Sequence, residues 1–444
     1  MKTSTKAFLG LLLLGVAACA DRELILDGER FDIRDGLPKV DENGDRIEAV
    51  DDAPAARAFA APAQINHASW THRGGDNTHN VQHPALNRAL TPVFSVDIGQ
   101  GHGRKSRITA DPVVAGGRIF TMDSASRVQA TGSDGQVLWA RQLVPASDKD
   151  RDASGGGLAF GENIVFAATG FGELIALDPT SGATVWRQKL DAPVTSSPTV
   201  SDGKVYVITR DSGGWALDVK NGRILWQLSG APSEATLIGG SGPVVANRVA
   251  ILPFGSGELV AALKSSGLRV WGSAVAGQRR GRAYSNISDI TGDPVLSDGV
   301  LYAANSGGRV VALKPGSGER IWTANEGAYS PVLPAGDSVF MLSDQGELLR
   351  LDRETGERIW AERLPYFVNR KVKRREAVYA HYGPILAGGR LLVASNDGLI
   401  RSYDPATGAL VGTTPLKGGA ASNPVIVNGT LYIVTEKGQL AAFR

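Results

Sequence analysis

From Thr91 to the end of the chain, apolar residues come in short runs of about four to six, rich in β-branched side chains and separated by glycine-containing turns, with little helical periodicity. The runs follow a repeated order of four. A first strand begins near a proline, as in Pro112-Val113-Val114, Pro198-Thr199-Val200, Pro243-Val244-Val245, Pro294-Val295-Leu296 and Pro424-Val425-Ile426. A two-residue turn follows, such as Asp202-Gly203, Asp298-Gly299, Asn428-Gly429, Gly116-Gly117 or Gly388-Gly389. These pairs tolerate the positive φ angles of a type I′ hairpin. A second strand comes next (204–208, 430–434), then a glycine loop and a third strand (172–177, 398–403). A Thr-Gly or Ser-Gly turn opens a fourth strand that carries a tryptophan, most clearly in residues 176–186 and 351–360.

The six fourth-strand tryptophans, Trp139, Trp186, Trp226, Trp271, Trp322 and Trp360, are spaced 47, 40, 45, 51 and 38 residues apart. A repeat of that length built from strands and turns predicts a β-propeller. Val411 takes the tryptophan position in a seventh unit, and the last unit, Asn423 to Arg444, has three strands and stops. Pro92–Val96, just before the first complete unit, supplies the missing fourth strand. The expectation is an all-β, eight-bladed propeller of four-stranded blades, its ring closed by an N-terminal strand joining the C-terminal blade and leaving few sheet edges open.

Strand parity then separates the two faces. In a four-stranded meander the fourth-to-first and second-to-third connections emerge on one side, and the other turns on the opposite side. The long connections here, 145–156, 230–242, 276–292 and 364–382, are all fourth-to-first. One face is therefore trimmed and the other elaborated, and loops on a rigid scaffold are where binding groups sit.

Before the repeats the chain reads differently. Lys2 and Lys6 precede an apolar run, Ala7 to Leu14, too short to span a bilayer. Val16-Ala17-Ala18-Cys19 resembles the lipobox of bacterial lipoproteins, in which the cysteine carries the lipid; this implies a signal peptide over 1–18, lipidation of Cys19, and anchoring without a spanning helix. Alanine at position 20, where inner-membrane lipoproteins commonly have aspartate, points to the outer membrane. Residues 19–66, acidic and then Ala/Pro-rich, read as a membrane tether. Residues 67–90 read as a turn-rich entry segment, and 91–444 as the propeller.

Cys19 is the single cysteine, so no intramolecular disulfide forms and packing alone must hold the ring. The net charge of +2 argues against a dedicated nucleic-acid binder. His67, His72, His79 and His83 match no compact metal-ligand spacing and read as solvated loop residues. Gly155-Gly156-Gly157 lacks the lysine and helix of a phosphate loop. The repeat region holds only His102 and His381, which leaves no argument for a Ser/His/Asp site. No catalytic, cofactor-binding or metal residue is assigned. Arg370, Lys371, Lys373, Arg374 and Arg375 form the strongest basic run, suited to anionic lipid, to an acidic partner or simply to solvent.

The repeated phrase resembles that of pyrroloquinoline-quinone (PQQ) enzymes over residues 91–444, and the Trp70–Gly75 segment resembles the entry phrase of such domains. The resemblance implies that the fourth-strand tryptophans pack between blades. With the lipobox and tether, the chain is similar to the BamB family of lipoproteins in the outer-membrane β-barrel assembly machinery. That resemblance implies a non-enzymatic scaffold that needs no cofactor. It would be anchored at the periplasmic face of the outer membrane, bind the POTRA domains of BamA beside other assembly lipoproteins, and assist insertion of unfolded barrel proteins. In the family, contacts come from loops between the third, fourth and fifth blades. Leu237-Ile238-Gly239 resembles one anchor phrase, with isoleucine where arginine is expected. Ser288-Asp289-Ile290-Thr291 resembles the other, with Thr291 in place of a second aspartate. Arg279, Arg280, Arg282 and Tyr284 fall in the same loop and are candidate replacement anchors. The alternatives are a PQQ-dependent dehydrogenase, disfavoured by the lack of a cysteine pair and of a calcium-loop motif, and an envelope- or glycan-binding propeller, for which only Trp70 and Trp215 lie outside core positions.

Overall fold

The computed structural model describes residues 57–150, 152–233, 239–275, 277, 288–369 and 371–444. They form eight four-stranded antiparallel sheets, seven of them meanders in chain order. The first blade runs Val113–Ala115, Arg118–Met122, Arg127–Gly132 and Val137–Gln142. The eighth is composite: Val425–Val427, Thr430–Val434 and Gln439–Phe443 are completed by Pro92–Asp97, which pairs antiparallel with Gln439–Phe443. Thr91 and Arg444 exchange both backbone hydrogen bonds, at 2.8 and 2.9 Å, and fasten the two ends of the ring. The eight-bladed all-β reading, including its closing strand, holds.

The repeated phrase is a seam between blades. Second and third strands are buried along their length, whereas a fourth strand such as Thr184–Lys189 buries little besides its tryptophan. The Trp186 indole lies against Phe166 of its own blade, tilted by 49°, and donates its N–H to the Val219 carbonyl of the next, at 2.8 Å. The same bond joins Trp139 to Pro179, Trp226 to Lys264, Trp271 to Pro315, Trp322 to Arg353 and Trp360 to Pro405. Each indole also lies on the turn glycine of the following blade, so that glycine has positive φ and no room for a β-carbon. The aspartate of the phrase builds that turn: Asp178 and Asp352 accept the backbone N–H groups two and three residues ahead.

The two exceptions have one cause. Val411, on the seventh blade, has no turn to cover, because the third and fourth strands of the eighth blade come from opposite ends of the chain. At the next junction Phe94 takes the tryptophan's place: a β-carbon on Gly135 of the first blade would stand 2.8 Å from its ring.

Residues 57–90 do not remain outside the ring. They cross the channel beside the tight turns and touch every blade. Trp70 exchanges backbone hydrogen bonds with Val114 of the first. Thr71, Asn77, Thr78 and His67 offer carbonyls to the N–H groups of Phe160, Val245, Leu296 and Asn428 in the second, fourth, fifth and eighth. His72 Nε2 accepts from Val200 of the third, and His83 Nε2 and the Pro84 carbonyl accept from Gly389 and Gly388 of the seventh. On the sixth blade, buried Arg350 donates to the carbonyls of Arg57 and Ala58, and Phe59 packs edge-on to Phe340. First strands are inner sheet edges, and this plug satisfies backbone donors that would otherwise face the channel.

Two expectations change here. His72, His79 and His83 are buried rather than solvated, each bonded to a blade or to the plug itself. Arg57, Ala58 and Phe59, read as the end of the tether, are held on the sixth blade, and Pro62 and Ile65 pair with His83 and Pro84 within the plug; an Ala/Pro-rich stretch gives no periodicity to betray that. Trp70 and Trp215 are both only 3 % exposed and offer no platform to a glycan.

Candidate partner-binding face

The plug lies beside the tight turns, and a cavity stands over it on the side of the long loops. Its floor is Arg73. The guanidinium reaches Asp111 at 3.4 Å and Asp293 at 3.5 Å, and donates to the carbonyls of Gly239 and Gly240. Asn423 completes the cluster, giving Asp111 two hydrogen bonds of 2.8 Å. Burial disfavours charge on Arg73, but Asp293 and Asp111 outweigh it and hold its pKa above the ordinary value. Burial likewise raises the Asp111 pKa, against the pull of Arg73 and Asn423. The cavity above this floor is about 380 Å³, bordered by His102, Arg107, Thr109, Tyr382 and Glu436.

The cavity does not fit a quinone held with a divalent ion. Arg73 is already neutralised by two carboxylates, and the described residues contain no cluster of three or more His, Cys, Asp or Glu placed to hold a metal.

The described bases of the loops that carry the expected anchor phrases come together on this face. Asp289 shares a small cleft with Gly240, Ser241, Thr195 and Arg210. The bases of the two loops are stapled: Ser241 Oγ donates to the Gly292 carbonyl at 3.1 Å, and the Gly242 N–H to Asp293 at 2.7 Å. Arg73 holds both bases from below. Asp289 is 5 % exposed and Thr291 6 %, and the Thr291 hydroxyl donates to the Ala328 carbonyl, so neither side chain stands on the open surface. Leu237, Ile238, Arg279, Arg280, Arg282 and Tyr284 lie outside the described residues, as do Cys19 and Arg370. Sequence reasoning missed Arg73, Asp111 and Asp293. The entry phrase marked the position of Arg73, but nothing local announces carboxylates contributed by two distant blades.

The family described as outer membrane protein assembly factor BamB matches residues 124–362 and 372–444. The outer membrane protein assembly factor BamB of Shewanella oneidensis is 26 % identical over 357 residues, covering 78 % of this chain and 87 % of that protein. The Legionella pneumophila protein of the same name is 28 % identical over 353 residues, covering 79 % and 87 %. Among solved structures, BamB from Moraxella catarrhalis aligns with a TM-score of 0.67 at 21 % identity, over 80 % of this chain and all of that one. A quinohemoprotein alcohol dehydrogenase from Comamonas testosteroni aligns at 0.63 and 16 % identity, over 88 % and 83 %. At those identities the two superpositions speak for the propeller alone. The family match spans well over half the chain, and with it comes a role in outer-membrane protein assembly rather than in quinone-dependent catalysis: this chain belongs to the BamB family of outer membrane protein assembly factors.

Proposed function

We propose that the chain is a lipid-anchored periplasmic scaffold that binds the POTRA domains of a BamA homologue through its elaborated face and so assists insertion of β-barrel proteins into the outer membrane. The observation carrying this reading is that, in a propeller of this family, the bases of the loops containing the two anchor-like phrases are fixed side by side by Arg73 and Asp293. A seat held by ion pairs and backbone bonds suits recognition of a folded partner, because little ordering entropy is lost there on docking. Contact would come from Leu237, Ile238, Arg279, Arg280, Arg282 and Tyr284, with Asp289 and Thr291 shaping the loop that carries the latter group.

The test is co-purification from membranes of the BamA homologue with wild-type protein and with Leu237→Arg, Tyr284→Ala and their combination, alongside melting curves. Loss of the partner from the double variant at an unchanged melting temperature is expected. Full retention by a folded double variant would reject these anchors. Metabolic labelling with radioactive palmitate, present in wild type and absent from Cys19→Ser, checks the anchor.

A further inference from the structure

The connection from the sixth to the seventh blade belongs to the same face but carries none of the anchor-like phrases. Residues 366–379 double back on themselves: the Val368 N–H donates to the Ala377 carbonyl at 3.0 Å and the Tyr379 N–H to that of Tyr366 at 2.8 Å. A single 3-10 turn, Val372–Arg374, forms the tip. The Arg375 guanidinium stands 4.7 Å over the Phe367 ring, bracing the two sides of the arm. Between 366 and 379 the arm has five basic residues and one acidic, Glu376. Lys371, Lys373 and Arg374 are exposed and make no ion pair among the described residues.

Beside the arm is a cleft of about 340 Å³ whose walls include Tyr329, Tyr366, Tyr379, Tyr382, Leu342 and Leu364. Tyr329 is 47 % exposed at its rim. The one carboxylate in its wall, Asp344, accepts the Gly327 N–H. Unpaired cations at a pre-shaped tip steer and orient anions, and a tyrosine-lined hollow desolvates an apolar side chain.

We propose that this arm and cleft are a second docking site, taking a protein segment in which acidic residues flank an aromatic or large aliphatic side chain. The acidic groups would meet Lys371, Lys373 and Arg374, and the apolar side chain would enter the tyrosine cleft. One observation favours a protein over an anionic bilayer: the apolar surface is concave, which suits a side chain rather than a lipid plane. The cleft shares Arg73 and Asn423 with the channel floor, but no described residue of the loops at 237–239 and 279–291 lines it.

The experiment uses the full chain and fluorescence anisotropy with a labelled peptide in which one phenylalanine is flanked by glutamates. An alanine-centred peptide, a lysine-flanked peptide and vesicles rich in phosphatidylglycerol are run in parallel. Salt-sensitive binding of the phenylalanine peptide is expected, weakened about tenfold or more by Lys371→Glu/Lys373→Glu/Arg374→Glu, all solvent-exposed changes. Tyr329→Asp should erase the preference for phenylalanine over alanine. Equal affinity in the charge-reversed protein, no preference for phenylalanine in wild type, or capture of vesicles in place of peptide would each overturn the proposal, whatever the fate of the BamA contact.

Discussion

Gly222, in the turn before the fourth strand of the third blade, faces the indole of Trp186 in the second: a β-carbon there would stand 2.6 Å from the ring. The glycine also has φ of 73°. Gly222→Ala therefore combines overpacking with a strained backbone and should cost about 2 kcal/mol or more. Urea denaturation with an unchanged m-value checks this. A loss below about 0.5 kcal/mol would mean the seam relaxes freely.

The tryptophan position should be worth much less where no turn lies across from it. Trp360→Val removes a buried ring and its bond to the Pro405 carbonyl, and a loss of about 3 kcal/mol is expected. Val411→Trp places an indole opposite the ring closure, where no such turn exists. Its midpoint in urea should not rise; a clear gain would show that the seventh seam has a partner for it after all.

Arg73 is the charge on which the channel floor depends. Arg73→Met leaves Asp111 and Asp293 buried without a cation, which should cost about 3–5 kcal/mol. Replacing both carboxylates by asparagine in the same chain should restore more than half of that. Hydrogen exchange should quicken at 239–242 and 289–293 in the single variant and recover in the triple one. Uniform exchange over the whole ring would argue against a local role at the loop bases.

His72 should make the plug acid-sensitive. Burial, with His79 adding to it, pushes its pKa down to about 3, against about 6.5 in an unfolded chain. Between those values the unfolded chain takes up a proton that the folded one refuses. Stability therefore falls as pH drops below about 6.5, by up to about 1.4 kcal/mol per pH unit, and His72 adds no slope above that. Asp111 acts in the opposite sense, because burial raises its folded pKa. The difference between wild type and His72→Gln isolates the histidine. Parallel stability curves for the two proteins from pH 7 to pH 4 would exclude it as the source.

Arg350 should control the lead into the ring. Arg350→Met removes the donors that hold the Arg57 and Ala58 carbonyls, and limited proteolysis should then cut near residues 57–60 well before the blades are attacked. Equal cleavage of both proteins there would show that Phe59 on Phe340 suffices.

The ring itself was legible from the sequence because each blade is a local meander. Strand, turn and tryptophan recur at fixed offsets, contacts between neighbours in the chain determine the unit, and counting the strands identifies the one borrowed by the last blade. The face that carries the long loops followed from strand parity. Nothing of that kind marked the plug. Residues 57–90 have no period of their own, and their partners are single backbone or side-chain groups scattered over eight blades far apart in sequence. The burial of His72, the pairing of Arg73 with Asp111 and Asp293, and the inward turn of Thr291 were decided only when the blades closed around one axis, since buried polar groups take their partners from whatever the closed ring places within hydrogen-bonding reach.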